Sequence, residues 1–129
     1  MTHISLTTLL VHDYDDAIAF FTEVLDFDLV EDSPATTDDG RPKRWVVVRP
    51  AGGQAGLLLA KADGPEQSAL VGRQHGGRVG FFLRVDNFDD ALARLRDAET
   101  IVRGEPRSEP YGTVVVFEDL YGNPWDLLG

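Results

Sequence analysis

A nine-residue stretch, Val11-His12-Asp13-Tyr14-Asp15-Asp16-Ala17-Ile18-Ala19, returns 74 residues later as Val85-Asp86-Asn87-Phe88-Asp89-Asp90-Ala91-Leu92-Ala93, with five positions identical and three conservatively exchanged. A repeat of this kind limits the architecture before any single motif does, because both copies must build the same supersecondary unit. In each copy an apolar run of strand type, residues 6–11 and 79–85, leads into Asp and Asn residues suited to capping a helix N-terminus. Ala17, Ile18, Phe21, Val24 and Leu25 then recur at three- and four-residue spacing, as do Ala91, Leu92, Leu95 and Ala98. Each helix is therefore expected to bury one face, and those positions to serve packing alone.

Three further strand-like runs follow each helix, residues 27–31, 44–48 and 56–60 in the first half and 100–103, 113–117 and 125–128 in the second. Asp38-Asp39-Gly40, Pro50-Ala51-Gly52-Gly53 and Tyr121-Gly122-Asn123 supply turns between them. Each half thus reads as a βαβββ module. The turn-rich segment 62–77, with Pro65 and a short helix-like piece at 66–71, joins the halves and sets the modules at about residues 1–62 and 75–129, with a linker at about 63–74. A four-stranded unit with one helix leaves its other face uncovered. The expectation is a single α+β domain in which two such modules form a concave mixed sheet around a cleft, where function should sit.

A chain of 129 residues suffices to bury one core without disulfides or a structural metal. Twelve basic against 22 acidic residues give a net charge of -10, which repels a nucleic-acid backbone or an anionic membrane over most of the surface. The same field favours cationic small molecules. The absence of cysteine excludes thiolate ligands, a cysteine nucleophile and disulfides. The N-terminal residues lack the order of a signal peptide and no apolar run is long enough to span a bilayer, so a cytoplasmic location is expected. Glycine-rich phosphate loops and nucleophile elbows are absent from the sequence.

The segment Val11-His12-Asp13-Tyr14-Asp15-Asp16-Ala17-Ile18-Ala19-Phe20-Phe21-Thr22-Glu23-Val24-Leu25 resembles the opening helix signature of the vicinal oxygen chelate superfamily. Phe117-Glu118-Asp119-Leu120-Tyr121-Gly122-Asn123-Pro124-Trp125-Asp126-Leu127 is similar to the closing turn and last strand of those proteins. The resemblance spans essentially the whole chain and implies the glyoxalase/bleomycin resistance fold. In that family four side chains from the two modules commonly hold one divalent metal, and imidazole and carboxylate ligands leave positions open for two substrate oxygens. Carried over position by position, the resemblance places Leu6, Leu58, Gly80 and Asp126 at the four ligand sites, and of these only Asp126 is able to bind a metal. The 74-residue offset independently matches Leu6 with Gly80. His3, His12 and His75 are read as surface or cap histidines rather than a second site. No cofactor is expected, with a divalent metal at an atypical site as the alternative.

Strand alternation groups Asp126 with Pro124 and Leu128, and Gly80 with Phe82 and Arg84. Asp126 is the catalytic candidate, as a general base or an anchor for a substrate amine. Its competing role is a retained ligand position held by a hydrogen bond to the backbone, Trp45 or Tyr111. The other ligand-binding candidates are Leu6, Leu58 and Gly80, Phe82 stacking on a flat ligand, Arg84 gripping a carboxylate, Trp45 in cleft or core, and Tyr111 on the rim. Gly80 either lets a ligand approach the backbone or marks a tight packing point. Glu118 and Asp119 point to opposite faces, and Asp119 is expected to bond its own backbone in the turn before Asn123. These features imply metal-independent binding or sequestration of a small molecule, cationic or aromatic, by a homodimer. The alternative is a metal-dependent lyase, isomerase or dioxygenase.

Overall fold

The computed structural model describes residues 1–129, which form two compact units, Met1–Val71 and Gly72–Gly129. The fold is α+β, with two four-stranded mixed sheets and three α-helices. In the first unit β1 (Leu6–Val11) leads to α1 (Tyr14–Ala19), a π-helical turn (Phe20–Val24), β2 (Phe27–Thr36), β3 (Pro42–Pro50), β4 (Gly56–Lys61) and α2 (Gly64–Leu70). The second unit runs β5 (Phe81–Arg84), α3 (Phe88–Asp97), β6 (Val102–Glu109), β7 (Gly112–Glu118) and β8 (Pro124–Leu128). The strand orders are β1-β4-β3-β2 and β5-β8-β7-β6, so the sequence repeat is a repeat of topology: first and last strands pair in parallel, the rest antiparallel.

The equivalent residues Asp13 and Asn87 cap α1 and α3. The Asp13 carboxylate accepts from the Asp16 N–H at 2.8 Å, and the Asn87 amide oxygen accepts from the Asp90 N–H at 3.1 Å. Each side chain satisfies a donor that the first helical turn leaves without a partner. Beyond α1 the helix widens into a π turn, and the adjacent Phe20 and Phe21 are both buried there, edge to face at 5.3 Å. Leu9 and Val11 of β1, Val46 and Val48 of β3, and Leu57 and Leu59 of β4 bury one face of the first sheet on the side of α1. The opposite face carries Thr8, Leu10, Trp45, Val47, Leu58 and Ala60, neighbours in the strand register.

The second unit has its core around Trp125. This indole stacks between its cross-strand neighbours Phe81, at 4.5 Å between centroids, and Phe117, at 5.7 Å. Ala91, Leu92 and Leu95 supply the buried face of α3, while Ala98, expected on the same stripe, lies exposed at the helix end.

Several strands differ in length from expectation. The hairpin of β2 and β3 is far longer than 27–31 and 44–48: residues 31–36 are mostly polar, include Pro34 and lack an apolar alternation that would mark a strand, yet pair with β3 out to Thr36 and Pro42. β2 is an outer strand of its sheet, where proline is tolerated. β5 is shorter than 79–85, with Gly80 just before it rather than within it.

Candidate functional site

The first unit contains a pocket of about 880 Å³, within the range of small-molecule sites. It forms where β3 and β4 part. The two strands pair only from Val46–Leu59 to Val48–Leu57. One step further along that register Trp45 would face Ala60, and the next would set Arg44 against Lys61. Pairing therefore ends one step before Trp45 and Ala60, while β3 continues alongside β2. Leu58, Ala60 and Trp45 form apolar wall, with Tyr14 contributed by α1. Trp45 is 38% exposed, and its indole N–H makes no hydrogen bond.

Charged groups ring this wall, each placed by a partner. Arg44 turns back onto β2, donating from Nε and Nη2 to Asp32 at 3.0 and 2.6 Å, and lies 2.9 Å from Asp15. Its guanidinium sits 5.0 Å from the centre of the Tyr14 ring, and its backbone N–H donates to the Tyr14 hydroxyl at 3.3 Å. The Arg44 hydrogen bonds hold the Asp32 carboxyl below the usual carboxylate range.

Arg41, at the foot of the β2–β3 turn, spans the gap. It donates from Nη1 and Nη2 to the two carboxylate oxygens of Asp63 at 3.1 and 2.7 Å, and from Nε to Asp39 at 3.0 Å. The Asp63 carboxyl is lowered chiefly by the Arg41 hydrogen bonds, and the Asp39 carboxyl by the Thr37 hydroxyl and then by Arg41. Because its carboxylate is taken by Arg41, Asp63 does not cap α2 with its side chain. Gln67 instead reaches back, its Oε1 accepting from the Asp63 N–H at 2.9 Å. Lys43 and Lys61 also line the pocket and have no ionic or hydrogen-bond partner.

Of the residues singled out in the sequence, Trp45 and Leu58 line this pocket; Leu6, Gly80, Phe82, Arg84, Tyr111 and Asp126 do not. Leu6 starts β1 on the same face as Leu58, beside Gly56. In the second unit Phe82 and Asp126 are register partners, with Arg84 two residues along, so these three share one face as their strand phase predicts. Phe82 is 65% exposed. Asp126 is half-buried and forms no side-chain hydrogen bond, neither to Tyr111 nor to the backbone. Tyr111 is exposed in the turn between β6 and β7, beside Arg107.

The room left by the missing side chain of Gly80 is filled. A Cβ there would lie 2.3 Å from Nδ1 of His75, whose ring packs edge-on to Phe81 at 5.1 Å. Gly80 is thus a packing point. Asp119 behaves as turn chemistry requires: its carboxylate accepts from the backbone N–H groups of Tyr121 and Asn123, both at 3.0 Å, from the Asn123 amide and from the Trp125 indole.

The four positions matched to metal ligands carry two leucines, a glycine and one carboxylate, and no group of three or more His, Asp or Glu side chains is placed to hold an ion. This donor set does not fit a divalent metal. The residues that sequence reading missed, Tyr14, Arg41, Lys43, Arg44, Lys61 and Asp63, had one visible signal. A tryptophan closes a charged run, two acidic then three basic residues, in Asp38-Asp39-Gly40-Arg41-Pro42-Lys43-Arg44-Trp45.

Residues 2–127 match the family model for the glyoxalase/bleomycin resistance protein/dioxygenase superfamily. An uncharacterized protein of Shewanella frigidimarina (strain NCIMB 400) is 51% identical over 122 residues, covering 93% of this chain and 87% of its own. The crystal structure of UcmS2 superposes with a TM-score of 0.78 at 31% identity, covering 99% of this chain and 98% of the other. TnmS3, an antibiotic binding protein from Streptomyces sp. CB03234, gives a TM-score of 0.76, also at 31% identity, covering 99% of this chain and 95% of the other.

Proposed function

Since this chain belongs to the glyoxalase, bleomycin resistance protein and dioxygenase superfamily, we propose that it acts without a metal ion, binding and sequestering a small molecule in the pocket of its first unit. The observation that carries this reading is the pocket wall itself. Trp45, Leu58 and Ala60 offer an apolar surface on one sheet face, with an indole N–H available to orient a ligand. The likeness to an antibiotic binding protein supports a binding role. The family's metal chemistry has one carboxylate, Asp126, where four donors are expected, which argues against a lyase, isomerase or dioxygenase mechanism. No helix is long and apolar enough to cross a membrane. The same reading includes a homodimer, supported by the exposed apolar side chains Phe82 and Ile101, and light scattering of the purified protein tests it.

Metal analysis of the purified protein, with thermal melts in added Zn, Mn, Ni and Fe salts, tests the metal-independent reading. Any ion bound by the native state raises the melting temperature. The expected result is no stoichiometric metal and no upward shift; a stoichiometric metal that stabilises the fold overturns the reading.

A further inference from the structure

Where β3 and β4 part, backbone groups that a longer ladder would pair turn into the gap. Along β4 the N–H groups of Gly56 and Ala62 face β1, donating to the carbonyls of Ser5 and Val11 at 3.0 and 2.8 Å. Successive strand residues direct their N–H groups to opposite sides, so the N–H of Lys61, next to Ala62, faces β3. Pairing has ended by then, and Lys61 has no hydrogen-bond partner. On β3 the Arg44 N–H faces the same gap, and it donates to the Tyr14 hydroxyl at 3.3 Å. The hydroxyl thus stands at strand level, in the place the Lys61 carbonyl would take in a continued ladder. It uses one lone pair for Arg44, and nothing in the protein accepts its own hydrogen.

We infer that Tyr14 is a specificity-determining residue of this pocket: its hydroxyl, with the Lys61 N–H, receives the carbonyl oxygen of a ligand whose flat apolar part lies against Trp45, Leu58 and Ala60. The ligand class is neutral aromatic ketones and amides. The guanidinium groups around the gap are spent on carboxylates, Arg41 on Asp39 and Asp63 and Arg44 on Asp15 and Asp32. A hydrocarbon seated in the gap would cut both donors off from water and give nothing in return, whereas a carbonyl replaces the water they lose. Accepting the Arg44 N–H also polarises the Tyr14 O–H and strengthens it as a donor. The tyrosine is fixed for this task from two sides, by that bond and by the Arg44 guanidinium 5.0 Å from the centre of its ring.

The inference rests on the pocket being the ligand site, and two probes of one shape separate the two claims. 2-Acetylnaphthalene carries the carbonyl, and 2-isopropylnaphthalene replaces its oxygen with a methyl group. Both are titrated against the full chain and against Tyr14→Phe, whose fold is checked by its melting temperature. Tyr14→Phe is expected to lower the preference for the ketone about fivefold, weakening the ketone and sparing the hydrocarbon. In the wild-type chain the infrared carbonyl stretch of the bound, carbon-13-labelled ketone should lie below its position in cyclohexane, and it should move back toward that position in Tyr14→Phe. A stretch at the cyclohexane position in the wild-type chain overturns the inference without any variant. So does a preference or a lowered stretch that Tyr14→Phe leaves unchanged, and so does equal weakening of both probes, which would assign Tyr14 to packing alone; in each case the pocket reading stands. Binding of neither probe overturns both.

Discussion

The Arg41 guanidinium grips both carboxylate oxygens of Asp63 across 22 residues of sequence, tying the end of the β2–β3 turn to the start of α2 over the gap between β3 and β4. Both side chains are about half exposed, so salt screens the pair and global stability should barely register its loss. The local consequence is larger. Arg41→Ala should speed amide hydrogen exchange in residues 36–42 and around Asp63, leave the β3–β4 ladder at Val46–Val48 protected, and shift the melting temperature little.

Acid should act on the same tie. The Asp63 and Asp39 carboxyls are held below their usual range, so their contribution is fully present above the ordinary carboxylate pKa of about 3.9 and is lost as pH falls through their depressed values. Exchange in the turn should therefore be flat from neutrality to about pH 4 and rise, after correction for intrinsic rates, only below it. A rise centred near pH 6.5, the range of histidine, would assign the effect to other groups.

Asp119 anchors the second unit. It is 6% exposed and serves the N–H groups of Tyr121 and Asn123, the Asn123 amide and the Trp125 indole. Removing a buried acceptor strands each of its donors, and Asp119→Ala should cost about 3 kcal/mol or more in denaturant unfolding. The Trp125 emission should shift with it, since its N–H loses its partner.

Gly80 and His75 form a testable pair, because the imidazole fills the volume a side chain at position 80 would need. Gly80→Ala alone should destabilise by roughly 1–3 kcal/mol through overpacking. Adding His75→Ala should recover at least about 1 kcal/mol of that loss, a coupling that independent sites do not show.

The repeat, the helices and their caps were legible in the sequence because they depend on local chemistry. Asp13 and Asn87 stand at the same offset in both copies and make the same bond. The shared face of Phe82 and Asp126 followed from strand phase alone. The pocket was not legible, because it depends on register. Only when Val46 is known to face Leu59 does it become clear that β3 and β4 stop pairing just short of Trp45 and Ala60, and that Trp45 and Leu58 line the space left there. The role of His75 escaped for a similar reason, since its contact with Gly80 is set by the path of the turn between Gly72 and Gly80 rather than by any periodicity.

The two tryptophans offer the most direct measurement. Their indole N–H signals in a nitrogen-15 correlation spectrum report separate places, one bonded to Asp119 in a core and one free on the pocket wall. Protein treated with a chelator is titrated with neutral 2-naphthamide, a flat aromatic probe that needs no charged partner, and the Trp45 signal is identified by its loss in Trp45→Phe. A metal-independent pocket predicts that the Trp45 signal moves saturably while that of Trp125 stays. Movement of neither signal, or movement of the Trp45 signal only after a divalent metal is restored, would contradict it.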